Sequence, residues 1–230
     1  MRDLREDLDP IWRSAALLGS GTGKARVLMF TAARNGEGVT SMAASFACMA
    51  ARRSGKAVWL VDLDARRNRA FKGFERGIAR DIGRPGRAYD ASLKQTPLFG
   101  ITPKVANARQ DKLMTAHDIE GLPLLVTRFR SERLKSGQRV FLQDSPGWWE
   151  TLRNMASWII VDAPALERSS AALTVAREAD GVALVVAADR TTPVEVEGAR
   201  REIEIHQGRM LGAVLNGVKA DARLANRFSA

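Results

Sequence analysis

The stretch "RVLMFTAARNGEGVTSMAASFACMAARRSG", residues 26–55, joins a continuous apolar run to an alanine-rich segment of helix length through a loop holding Gly36 and Gly38. A strand covered on both faces reads as an unbroken apolar run, so 26–33 is expected inside a mostly parallel sheet. The segment from residue 40 closes at Gly55, a helix stop. A glycine loop between such a strand and a helix N-terminus collects backbone N–H groups and suits an anion.

The same pattern recurs outward from this unit. "AVWLVDLD" (57–64), "LPLLV" (122–126), "WIIVDAP" (158–164), "GVALVVAA" (181–188) and "LGAVLNGV" (211–218) read as further buried strands, with helices near 147–156, 169–179 and 193–207. Short apolar runs alternating with helix-length segments imply an α/β fold with helices on both faces of the sheet. "DPIWRSAALLG" (9–19) reads as a short helix with Asp9 as its cap, Pro10 in its first turn and Gly19 as its stop, followed by a hinge, "GSGTGK" (19–24). Residues 66–120 are rich in Arg, Gly and Pro without a clear period and are expected to form a basic insertion in a single domain spanning 1–230.

Composition narrows the classes. The only cysteine, Cys48, excludes an internal disulfide, and the two histidines, His117 and His206, are too few and too distant for a zinc cluster. No apolar run approaches the ~18 residues of a membrane span, and the start does not read as a secretion signal, so a soluble, cytoplasmic chain is expected. The net charge of +10 is uneven: residues 1–115 hold 21 Lys/Arg against 11 Asp/Glu, and 116–230 hold 15 of each. The densest patch, residues 66–87, has 8 basic and 2 acidic side chains and suits anionic lipid, nucleic acid, a phosphorylated sugar or an acidic partner tail, or forms a solvated face. No Gly-x-Ser-x-Gly or histidine-centred constellation suggests hydrolase chemistry.

A phosphate loop reads G-x-x-x-x-G-K-[ST], its glycines letting the backbone wrap phosphate, its lysine neutralising charge and its hydroxyl reaching magnesium. Ala33 to Thr40 spells "ARNGEGVT": Gly38 and Thr40 keep their places, the first glycine is Ala33, and the lysine is Val39. Lys24 in "GSGTGKA" precedes the strand and lacks a following hydroxyl, so it reads as part of the hinge. Asp62, Asp64 and Asp162 close apolar runs and are expected on the rim shared with this loop, where ligands of parallel sheets bind. A strand-end aspartate with a loop hydroxyl suits magnesium, whose shell is completed by water and phosphate oxygens.

Together "TAARNGEGVTSMAASFA", "VWLVDLDARR", "WIIVDAPA" and "LGAVLNGV" resemble the phosphate loop, second Walker motif, Walker B motif and adenine-side strand of bacterial tyrosine kinases and related exopolysaccharide chain-length regulators. That family lies within the ParA/MinD group of deviant P-loop ATPases. The resemblance implies a P-loop NTPase-like fold binding ATP or ADP with magnesium. It makes Arg34, Asn35, Gly36, Glu37, Gly38, Val39, Thr40, Ser41 and Asn216 nucleotide contacts, Thr40 and Asp162 magnesium ligands, and Asp62 and Asp64 catalytic carboxylates. It also implies a partner, the cytoplasmic tail of an inner-membrane polysaccharide chain-length or export protein, together with homo-oligomerisation. The protein would then be cytoplasmic and peripheral to the inner membrane, with an anionic membrane surface within reach and nucleic acid disfavoured.

The departures matter as much. Val39 removes the charge that steadies phosphoryl transfer, with Arg34 as a partial substitute; the tail "DARLANRFSA" has no tyrosine; and of the assembly arginines only Arg13 is kept. Three readings follow: a kinase-like regulator with impaired or absent kinase activity, a docking module whose pocket has collapsed around an inward Val39, and a ParA/MinD-type positioning ATPase.

Overall fold

A computed structural model describes residues 1–18, 23–103 and 113–218. Its strands are β1 (Arg26–Ala32), β2 (Val58–Asp62), β3 (Pro85–Asp90), β4 (Phe99–Thr102), β5 (Met114–Ile119), β6 (Leu122–Phe129), β7 (Arg139–Leu142), β8 (Trp158–Asp162), β9 (Gly181–Ala187) and β10 (Met210–Asn216). Its α-helices are α1 (Asp9–Ala16), α2 (Val39–Ser54), α3 (Arg69–Glu75), α4 (Pro146–Met155), α5 (Ala171–Val175) and α6 (Pro193–Ile205). Eight strands form one sheet in the order β10-β9-β1-β8-β2-β6-β5-β3. Pairing is parallel from β10 through β6, whereas β5 and β3 join antiparallel at one edge.

The unbroken apolar runs are explained by alternation between two covered faces. Leu28, Phe30, Leu60 and Ile160 pack toward α1, α2 and α3, while Val27, Met29, Val61, Ile159 and Val161 pack toward α4, α5 and α6. Trp12 fixes α1 to the first face, its ring centroid 5.4 Å from Trp158 and 5.8 Å from Phe46. Asp9 does not cap α1; Leu8 holds the cap position, and the Asp9 carboxylate accepts from Arg53 Nη2 at 2.5 Å. Gly19, most of the hinge and the whole C-terminal tail lie outside the described residues.

Residues 66–120, expected as an unpatterned insertion, instead contribute α3, β3, β4 and β5, with 104–112 outside the described residues. Their signal is weak for physical reasons. Strand β3 is an edge strand whose side chains are almost all exposed, and α3 has only seven residues, two turns too short for a clear period.

Candidate functional site

Because β1, β2, β8 and β10 run parallel, their carboxyl ends lie on one rim, as the sequence leads one to expect. The β1–α2 loop enters this rim through Gly36 (φ 87°) and Gly38 (φ 96°), both left-handed, a region that costs an ordinary residue about 1–2 kcal/mol. Gly38 also has no room for a Cβ, which would collide with the Asn216 amide. The loop leads into the first turn of α2, which no side chain caps, and the first N–H groups of a helix have no acceptor within it, so this end of α2 offers donors at the rim.

Three neighbouring segments hold the loop. Glu37 is buried, and its carboxylate accepts from Arg34 N–H at 3.1 Å, from Ala187 N–H at 3.0 Å and from the Thr191 hydroxyl. Asn216 Nδ2 donates to the Glu37 carbonyl at 2.8 Å, and Asn35 N–H donates to Glu167 Oε1 at 2.7 Å. Leu166 and Glu167 N–H groups reach the carbonyls of Ala32 and Ala33 at 2.9 and 3.2 Å. Glu37 and Asn216, expected as nucleotide contacts, also brace the loop, and the Glu37 carboxylate is turned onto donors of the protein.

Behind the loop, register sets Asp62 of β2 directly beside Asp162 of β8. Both are buried, and burial pushes both carboxyls above the usual carboxylate range. For Asp162 the neighbouring Asp62 charge adds to the rise, while the Thr40 hydroxyl opposes it. Asp62 is engaged with backbone: Oδ1 accepts from Asp64 N–H at 2.8 Å and Oδ2 from Ala70 N–H at 3.0 Å. Asp64 pairs with Arg168, Nη2 to Oδ2 at 2.6 Å. The β2–α3 loop is further pinned by Asn68, whose amide exchanges hydrogen bonds with Phe129 N–H at 2.7 Å and Phe129 carbonyl at 2.9 Å.

Between these parts lies a cavity of about 560 Å³, lined by residues 34–41, Asp64, Asp162 and the segment 163–165. Asp62 and Asn216 do not line it. Ser41 does, and its hydroxyl accepts from Arg2 N–H at 3.1 Å. Val39 lines the cavity and also packs against the core under α2, yet the cavity stays open. Thr40 and Asp162 offer hard oxygens suited to magnesium, but among the described residues no group of three His, Cys, Asp or Glu could hold an ion unaided.

Sequence reasoning did not find Arg168, Asn68 or Glu167, whose partners lie far away along the chain. The basic patch was visible, but its place was not: Arg66, Arg67, Arg69, Lys72 and Arg76 line this cavity. Lys24 lies elsewhere, ion-paired with Glu150 on α4.

No protein-family model matches the sequence, and no curated protein matches it. Solved structures do. The kinase domain of the Escherichia coli tyrosine kinase ETK superposes with a TM-score of 0.54 at 20% identity, over 93% of this chain and 74% of that one. The MinD cell division protein of Aquifex aeolicus gives 0.53 at 19% identity, over 89% and 73%. Cobyrinic acid a,c-diamide synthase from Mycobacterium smegmatis, solved with a bound ATP analog and magnesium, gives 0.53 at 18% identity, over 90% and 80%. The shared fold is that of P-loop NTPases, and the tyrosine kinases and MinD are the groups whose motifs this sequence resembles.

Proposed function

We propose that this chain is a kinase-like P-loop protein that binds ATP or ADP with magnesium and regulates exopolysaccharide assembly, with phosphoryl transfer weak or lost. The observation that carries the reading is the open cavity at the strand carboxyl ends, where the β1–α2 loop, the first turn of α2, Thr40 and Asp162 converge. A cavity filled by Val39 would have favoured a docking module without ligand; the open cavity favours a ligand site. Bound magnesium would neutralise phosphate charge and orient the terminal phosphate. Thr40 and Asp162 would hold it, the loop N–H groups would grip the phosphates, and the pair of Asp64 with Arg168 would border the reacting end.

Weak transfer follows from two features. Val39 supplies no charge where a lysine would act, a loss of several kcal/mol at a developing charge. The only tyrosine, Tyr89, does not line the cavity; it lies on edge strand β3 with the Arg87 guanidinium 5.3 Å from its ring. The residual role is then nucleotide-dependent docking on the cytoplasmic tail of an inner-membrane polysaccharide chain-length or export protein, as a homo-oligomer peripheral to that membrane. Among the described residues no helix is long and apolar enough to cross a membrane.

Calorimetric titration with ATP and magnesium tests the site. The native protein should bind, Asp162→Ala should lose the magnesium-dependent part, and Val39→Lys should tighten binding about tenfold, the equivalent of ~1.4 kcal/mol. Absence of heat from the native protein at millimolar nucleotide overturns the reading. The likeness to MinD favours a second reading as a positioning ATPase, which salt-dependent binding to DNA or anionic liposomes would support.

A further inference from the structure

The β2–α3 segment presents a charge pattern that the loop lacks. Arg69, Lys72, Gly73 and Arg76 all line the cavity, spaced i, i+3, i+4 and i+7, one face of a helix, while Ala70 and Phe74 on the other side are buried in the core. Arg66 and Arg67 approach from the preceding turn. None of these five cations has a carboxylate partner among the described residues, whereas Arg5, Arg52, Arg53, Arg153, Arg168 and Arg177 are each ion-paired. Unpaired like charges crowded round one cavity repel each other, and an anion in that cavity relieves the repulsion.

The alternatives for the missing lysine are engaged elsewhere. Lys24 pairs with Glu150, and Arg34 lies 3.5 Å from Glu195 and 3.4 Å from the Arg190 carbonyl. Arg69, by contrast, lines the cavity beside the aspartate pair, since the next residue, Ala70, donates its N–H to Asp62, the register partner of Asp162. Its backbone is fixed on both sides, by Asn68 on Phe129 and by Ala70 N–H on Asp62. A cation on so firmly held a segment loses less freedom on binding than one on a mobile loop.

We propose that Arg69, assisted by Lys72 one turn along α3, makes the terminal-phosphate contact that Val39 cannot, so that the nucleotide's phosphates are held from the β2–α3 side of the cavity. This rests on the reading of the cavity as a nucleotide site. It gives the basic patch a role: its first half, residues 66–76, is part of the ligand site. Arginine also suits the task chemically, since its planar fork can engage two phosphate oxygens at once.

Titrating ADP and AMP, each with magnesium, into the native protein and into Arg69→Ala, Arg69→Lys and the double variant Val39→Lys/Arg69→Ala tests it. Arg69→Ala should bind ADP at least tenfold more weakly and AMP within about twofold of native. Arg69→Lys should fall between, and the double variant should recover most of the ADP affinity. Arg69 is exposed and its side chain makes no hydrogen bond or ion pair among the described residues, and an unchanged thermal midpoint shows that each variant is intact. Native-like ADP binding by Arg69→Ala overturns the assignment, as does an equal loss for ADP and AMP. Absence of binding by the native protein overturns the nucleotide reading itself, which separates the two failures.

Discussion

Glu37 shows how little the position of a residue in a motif says about where its side chain goes. It sits between the two loop glycines, where contact with phosphate is the natural expectation, yet a carboxylate facing phosphate would be repelled. The structure turns it inward onto three donors, two backbone N–H groups and the Thr191 hydroxyl. Hydrogen bonds to a buried charge are the stronger kind, and removing their acceptor leaves buried donors unsatisfied. Glu37→Ala should therefore lower unfolding free energy by about 2–4 kcal/mol in urea titration and weaken nucleotide binding, because the loop loses its tie to β9. An unchanged urea midpoint would show that the brace has no energetic role. Asn216 works similarly from the other side, so both residues hold the loop's shape.

At the scale of elements, α6 has a start signal that the sequence carries in full. Thr192 Oγ1 accepts from Glu195 N–H at 3.3 Å, while Glu195 Oε2 accepts from Thr192 N–H at 2.8 Å, with Pro193 in the first turn. This reciprocal cap matters to the site because α6 follows the β9 turn that holds Glu37. Thr192→Ala should cost about 1 kcal/mol of stability, measured by urea unfolding. Its effect on nucleotide binding should be small, because Glu37 would keep its contact with Ala187 N–H. By contrast α3 has seven residues and no side-chain cap, and depends on Asp62 and Asn68 for its start. The helix that supplies the cavity's cations is thus positioned by tertiary contacts, whereas α6 announces itself locally.

At the scale of the whole molecule, the sheet separates two apolar cores, and α2 is the most deeply embedded helix, buried along ten consecutive residues from Met42 to Ala51. Cys48 lies in that run with no exposed surface, and burial pushes its thiol up to about 12. At pH 8 the group is protonated as well as inaccessible. Iodoacetamide should accordingly leave native protein unlabelled over hours and label it within minutes in denaturing urea, followed by mass spectrometry. Rapid native labelling would show that α2 opens independently of the rest. The burial of α2 bears on the cavity, because its first turn carries Val39, Thr40 and Ser41, which line it.

The sequence by itself determined the parallel sheet, its strand ends and the glycine loop between β1 and α2, because these rest on local causes: unbroken apolar runs, glycines at turn positions and aspartates closing strands. It also exposed the missing lysine at Val39 and the basic patch. Only the tertiary structure decided which loop residues line the cavity and which brace the fold. Register set Asp62 against Asp162 and let backbone N–H groups claim the former. Chain crossings brought Arg168 to Asp64 and Glu167 to Asn35, pairs more than a hundred residues apart. The same crossings turned the basic face of α3 onto the cavity. Side-chain direction depends on which partners fold nearby, and those partners come from sequence too distant for any local pattern to report.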